Sequence, residues 1–273
     1  MIFDETQCAL GEGPLWHPLR AELFWFDIRG KRLHCKDRHW QFDKYVSAAG
    51  WVDEDTLLVA SDVALSRFDI ASGESSHVCA LEADNPLTRS NDGRADPQGG
   101  FWIGTMGIEA QDGAGAIYRY YRGELRQLFA PITISNAICF APDGTTAYFT
   151  DTPTQRIMRV ALDKNGWPVG DPALHIDLQN TDFRPDGAVV DSAGNLWNAQ
   201  WGAGRVAGYA PDGTFLESFD FPAAQTTCPA FGGPDLQTLF CTSAAVGRDG
   251  DDQGKTFTAA TKYTGQAEHR VIL

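Results

Sequence analysis

Four residues with oxygen-bearing side chains recur at nearly one distance ahead of a strand-like apolar run. Glu12 precedes Leu23 by 11 residues, Asn91 precedes Phe101 by 10, Asn136 precedes Ala147 by 11 and Asp186 precedes Leu196 by 10. Glutamate, asparagine and aspartate offer oxygen donors and no thiolate or imidazole. That set suits a hard divalent cation, Ca²⁺, Mg²⁺ or Mn²⁺, and argues against a structural zinc cage. Two carboxylates and a neutral amide leave such an ion nearly neutral but short of ligands, so water and substrate fill the remaining positions. An incompletely coordinated cation polarises a carbonyl oxygen and lowers the pKa of bound water, which are the two requirements of ester hydrolysis.

Each of the four sits in a turn-rich context: Gly11-Glu12-Gly13-Pro14, Ser90-Asn91-Asp92-Gly93, Ser135-Asn136-Ala137 and Pro185-Asp186-Gly187-Ala188. Any one of these alone reads as an ordinary turn. Four at a constant offset read as a site, and glycine beside them allows close backbone approach.

The elements that must gather these residues are visible as a repeat. The runs Leu23-Phe24-Trp25-Phe26, Leu57-Leu58-Val59-Ala60, Phe101-Trp102-Ile103-Gly104, Ala147-Tyr148-Phe149-Thr150, Leu196-Trp197-Asn198-Ala199 and Leu239-Phe240-Cys241-Thr242 start 34, 44, 46, 49 and 43 residues apart. Sustained apolar spacing of a helical period is absent, and Gly, Pro, Asp and Asn bound the runs, so the chain reads as all-β. The mean spacing falls in the range of a four-stranded propeller blade, and six runs predict a six-bladed β-propeller formed by a single domain over residues 1–273. A sandwich with irregular loops has no reason to repeat at this period. In a propeller the first strand of each blade lines the central channel, so residues at one register form a ring at one end of it. The strand-like ends, Ile2-Phe3 and Arg270-Val271-Ile272-Leu273, are expected to share a blade and close the ring.

Composition narrows the function. With 273 residues and 43% hydrophobic content the chain buries a core unaided. The formal charge of −14 comes with no lysine- or arginine-rich run, so no nucleic-acid partner is expected, and a substrate arriving as a neutral molecule suits the overall field. No stretch approaches a membrane span, and Met1-Ile2-Phe3-Asp4-Glu5 lacks the regions of a signal peptide, so a cytoplasmic protein without membrane contact or obligate protein partner is expected. The six cysteines show no C-x-x-C pair and read as reduced packing residues.

Other candidate chemistry falls away. The six histidines show no close ligand spacing, and no G-x-S-x-G elbow is present. Asp249-Gly250-Asp251-Asp252 begins like a calcium loop, but Ala260 stands where a bidentate Glu is needed. Asp27 and Asp151 share a register at the ends of strand runs and read as turn caps. Tryptophans are expected between blades, with Trp201 placed to stack on a sugar ring.

These motifs resemble the gluconolactonase, regucalcin and senescence-marker family of six-bladed propellers. The resemblance runs from Leu10 to about Phe240. Asn91-Asp92-Gly93-Arg94-Ala95-Asp96-Pro97, followed by Gly104-Thr105-Met106, matches the family's N-D-G-[KR]-x-D-P…G-T-M signature, and Thr226-Thr227 with Phe231-Gly232-Gly233 matches its T-T-x-x-x-F-G-G stretch. Ser90 departs from it, standing where Phe is frequent. The resemblance implies one divalent cation on Glu12, Asn136 and Asp186, with Ca²⁺ as first choice and Mg²⁺, Mn²⁺, Zn²⁺ or Fe²⁺ as alternatives. It implies that Arg89 and Asn91 bind substrate oxygens, with Glu109 as a further contact from the Ile108–Gly115 region. The implied reaction is hydrolysis of a sugar lactone to the sugar acid, a carboxylic-ester hydrolysis with Asp186 accepting a proton from water. The competing readings are a calcium-binding or interaction propeller without turnover, and a propeller hydrolase of other esters or phosphotriesters. Register residues that differ from blade to blade favour one asymmetric site over a scaffold.

Overall fold

The six repeating runs are the second strands of six four-stranded antiparallel sheets. This computed structural model describes residues 1–273. The innermost strands, in chain order from blade 1 to blade 6, are Gly11–His17, Val46–Trp51, Thr88–Ala95, Ser135–Phe140, Arg184–Val190 and Thr226–Gly232. Each blade runs outward through consecutive strands, as Phe101–Gly107, Gly115–Tyr121 and Glu124–Ile132 do in blade 3.

Inner and second strands are buried on both faces because each sheet packs between two others. The second strands are accordingly apolar runs rather than alternations, whereas outer strands such as Ser75–Ala80 are largely exposed. The core lies between blades. Phe24, Phe26 and Leu33 of blade 1 meet Val46, Leu57 and Phe68 of blade 2, and Trp102 of blade 3 meets Phe140, Ala147 and Phe149 of blade 4. Trp25, Trp102 and Trp197, one in each of three second strands, are fully buried, as the sequence predicts for gap-filling tryptophans. All six cysteines are free, and all but Cys79 are buried.

Ring closure follows expectation in kind and differs in detail. Ile2–Asp4 is the outermost strand of blade 6, pairing with Thr256–Ala260, so both ends of the chain build that blade. Arg270–Leu273 is not that strand. Phe257 already fills the position, and the terminal segment crosses the end of the channel where the inner strands finish. There Val271 N–H donates to Trp51 O and Ile272 N–H to Gly99 O, while Gln266 Nε2 donates to Phe140 O and Val190 O. Glu268 forms a buried ion pair with Arg94. The apolar character of Val271 therefore reflects burial under blades 2 and 3 rather than strand pairing. No helix of the chain is long and apolar enough to cross a membrane.

Candidate functional site

Every inner strand breaks its register with the second strand at one equivalent place: Glu12/Leu15, Val46/Ala48, Ser90/Gly93, Asn136/Cys139, Pro185/Ala188 and Thr226/Pro229. A bulge bends the strand and re-aims a side chain. Repeated six times about an axis, it turns one residue per blade toward the channel mouth: Glu12, Ser47, Asn91, Asn136, Asp186 and Thr227, all buried. Four are the residues found in the sequence. The other two positions hold short hydroxyl side chains that do not reach the cavity, so the ring is lopsided and makes one site.

The bulges have local causes. Gly13 adopts φ 54°, and a Cβ there would collide with the Ser47 carbonyl of the next blade. Gly187 lies so close to Cys228 of blade 6 that a Cβ would overlap its side chain. In blade 4 the equivalent residue is Ala137, held at φ 56°. Asp92 Oδ2 accepts Ile138 N–H at 2.7 Å and so pins this bulge from the neighbouring blade.

A cavity of about 570 Å³ opens at this end of the channel. Glu12, Arg89, Asn91, Glu109, Asn136 and Asp186, every site residue predicted from sequence, line it. Glu109 is exposed at the mouth, and the others are buried. Trp201 is also in the lining, while none of the histidines is. Asp27 caps its turn as expected, accepting Gly30 N–H at 3.0 Å, and also accepts Leu10 N–H at 3.0 Å; Asp151 makes no side-chain cap to the turn it precedes and instead accepts Ile134 N–H at 2.9 Å from the start of the inner strand.

One hydrogen-bond relay crosses three blades and fixes both amides. Arg89 Nη1 donates to Asn91 Oδ1 at 2.7 Å, and Asn91 Nδ2 donates to Ser135 O at 2.8 Å and to Asn136 Oδ1 at 3.2 Å. Asn136 Nδ2 then donates to Thr152 Oγ1 at 2.9 Å, and Thr152 Oγ1 donates to Pro185 O at 2.8 Å. Because a hydroxyl has one proton and Thr152 gives it to Pro185, it must accept from Asn136. The Asn136 amide oxygen is therefore fixed as the acceptor, with one lone pair beyond the bond from Asn91. Asp186 is held through its own carbonyl, which accepts Asn198 Nδ2 at 2.9 Å, and Glu12 through the preceding one, as Thr227 Oγ1 donates to Gly11 O at 2.5 Å.

The carboxylates are short of partners. The chain's two buried ion pairs are Arg94–Glu268 and Arg119–Asp96, and neither includes Glu12 or Asp186. Glu12 accepts one N–H, from Gly13 at 3.2 Å. Desolvation, then the Asp92 charge, pushes the Glu12 carboxyl above its usual range; desolvation, then the Glu12 charge, does the same to Asp186. Burial also raises Asp92, to about 6, and lowers the Arg89 guanidinium to about 10. Two buried carboxylates that repel one another, beside an amide oxygen fixed as an acceptor, make a donor set that fits a hard divalent cation, whose charge would offset both costs.

Sequence reasoning missed three polar lining residues: Thr152, Arg29 and Arg184. Arg184 was within reach. It stands two residues before Asp186, as Arg89 stands two before Asn91, Leu10 two before Glu12 and Ile134 two before Asn136, and all four of these preceding residues line the cavity. Thr152 and Arg29 follow second strands in loops, where no register links them to the inner ring.

The family model described as SMP-30/gluconolactonase/LRE-like region matches residues 10–245. An L-arabinolactonase of Azospirillum brasilense is 35% identical, the alignment covering 98% of this chain and 94% of that protein. A pentonolactonase of Haloferax volcanii is 33% identical over 97% of this chain and 96% of that one. Among solved structures, a calcium-binding protein, regucalcin, from Agrobacterium tumefaciens superposes with TM-score 0.97 at 41% identity, covering 100% of this chain and 97% of its own. With that match and that overlay of the whole ring, the chain belongs to the SMP-30/gluconolactonase/LRE-like family.

Proposed function

We propose that this protein is a carboxylic-ester hydrolase that opens a sugar lactone to the corresponding acid, with one divalent cation, Ca²⁺ in first place, on Glu12, Asn136 and Asp186. The names of the relatives, L-arabinolactonase and pentonolactonase, support lactone hydrolysis in general. The observation that carries the metal is the pair of buried, unpaired carboxylates facing a cavity beside an oriented amide oxygen.

When bound, the cation supplies Lewis acidity toward the lactone carbonyl oxygen and acidifies water. The chain's own residues do the rest. Asp186 accepts the proton of the attacking water and returns it to the ring oxygen as the carbon–oxygen bond breaks, which balances the hydrolysis. Arg89 spends one terminal nitrogen on Ser90 O and Asn91 Oδ1, leaving the remainder of its guanidinium fork for substrate hydroxyls. Asn91, fixed by Arg89 and Ser135, sets the orientation of the ring, a contribution that reaches several kcal/mol when the geometry is rigid. Glu109 at the mouth contacts hydroxyls on the outer part of the sugar, and Trp201 offers a face for its C–H groups.

The reading is tested by stripping divalent ions and following acid release from a panel of aldonolactones with Ca²⁺, Mg²⁺, Mn²⁺ or Zn²⁺ restored singly. Turnover that disappears with the metal and returns on addition is the expected result. Turnover indifferent to chelation, or none on any lactone with every metal, contradicts it.

A further inference from the structure

The cavity carries more positive charge than opening a neutral lactone needs. Arg29, Arg89 and Arg184 all line it, contributed by blades 1, 3 and 5, so three arginines stand around the mouth on alternate blades. The chain as a whole has 36 acidic against 22 basic residues, and its overall field discourages anions. Local charge at the mouth runs against that field.

Arg29 and Arg184 are also unemployed. Both are exposed, and neither donates a side-chain hydrogen bond or joins an ion pair, whereas exposed Arg126 and Arg156 are paired with Glu124 and Asp177. Arg29 lies near enough to Arg89 to add like-charge repulsion to the desolvation that already lowers the Arg89 guanidinium. Two like charges kept at a concave surface without a counter-ion have a cost, which a bound anion removes. The carboxylates of the lining do not serve: a bound divalent ion would offset Glu12 and Asp186 at the floor, and Glu109 at the mouth forms no ion pair with Arg29 or Arg184, so three arginines stand against one remaining carboxylate.

We infer that the substrate is an anionic sugar lactone, one whose far end carries a carboxylate or phosphate, and that Arg29 and Arg184 bind this group at the mouth while the lactone carbonyl is held at the floor. The assignment rests on the lactonase reading and specifies its substrate class. Guanidinium forks match the planar or tetrahedral oxygens of such groups with paired hydrogen bonds, which a hydroxyl does not offer. The cavity volume of about 570 Å³ exceeds the needs of a bare five-carbon ring and leaves room for a charged extension.

The test compares kcat/KM for a neutral aldonolactone, the lactone of a sugar diacid and a 6-phosphoaldonolactone, all with the metal-loaded enzyme at low and high salt. The expected result is a preference of about tenfold or more for one charged lactone over the neutral one, shrinking as salt rises. Which charged lactone wins identifies the anion. In the double variant Arg29→Gln/Arg184→Gln the charged-to-neutral ratio is expected to fall about tenfold, and because both residues are exposed the variant should fold. Neutral lactones turned over as well as charged ones, or a ratio unchanged in the double variant, overturns the inference and leaves the lactonase reading standing. No turnover of any lactone overturns both.

Discussion

Asparagine in place of Asp186 is expected to lower lactone turnover by about 10³-fold while raising the melting temperature of the metal-stripped protein. The two effects share one cause. Asp186 is a desolvated carboxylate facing Glu12 without an ion-pair partner, so its charge is useful to the reaction and costly to the fold. Removing the proton acceptor costs about 10²–10⁴ in rate, and losing one charged ligand adds to it. On the stability side, a carboxyl raised above its unfolded value stabilises the chain fully below the unfolded pKa, and that contribution is lost as pH rises through the raised pKa. At pH 8, where both groups are ionised in the unfolded chain, the metal-free wild type therefore bears the cost of keeping a proton on the facing carboxyls, and the amide relieves it. A gain on the order of 1–2 kcal/mol, or roughly 2–6 °C for a chain of this size, is expected by calorimetry in chelator. With saturating metal the order reverses, because the wild type gains the larger binding free energy. Wild-type turnover in the variant would remove Asp186 from the mechanism.

The second large effect is structural and lies within the motif that carries the family resemblance. Asp96→Ala is expected to destabilise the protein by about 3–5 kcal/mol, a fall on the order of 10 °C in melting temperature. Asp96 Oδ2 meets Arg119 Nε at 2.6 Å with both side chains fully buried, while Oδ1 accepts Gly100 N–H at 2.8 Å and Gln98 N–H at 3.0 Å. Arg119 continues to Asn165 O of blade 4 at 2.8 Å and lies over the Trp167 ring at 4.3 Å, so the pair ties blade 3 to blade 4. Alanine leaves a guanidinium in the interior without its counter-charge, which is what makes breaking a buried pair so costly. Because replacing both charges is far milder, the double variant Asp96→Ala/Arg119→Met should recover much of the loss. Thermal unfolding of the three proteins checks this, and a loss below about 1 kcal/mol for Asp96→Ala contradicts it.

The same segment explains how much of this protein was legible in its sequence. Asn91, Asp92 and Arg94 lie along one inner strand and Asp96 just past its end, and each answers to a different neighbour: the cavity, Ile138 N–H, Glu268 and Arg119. The strand and its register could be read because turn chemistry and apolar runs repeat, and a rotational repeat converts equal offsets in sequence into proximity in space. That was enough to find Glu12, Asn91, Asn136 and Asp186. The partners could not be read. Glu268 sits on a terminal segment outside the repeat, and its neighbour Val271 looks like part of a strand because burial under the blades selects the same apolar residues, while Ile272 beside it is exposed. Thr152 and Arg29 enter the cavity from loops after second strands, where each blade has its own length and no period holds. Arg184 shared the register of Arg89 and was hidden only because charge at that position varies from blade to blade.

The central claim is that equal register in separate blades brings Glu12, Asn136 and Asp186 onto one cation. Crystals of the protein soaked in Mn²⁺ and measured at the manganese absorption edge address it directly. A single strong anomalous peak is expected at the floor of the cavity, within about 2.1–2.6 Å of oxygens from all three side chains. A peak held elsewhere, or none in crystals whose dissolved protein is active with Mn²⁺, contradicts it.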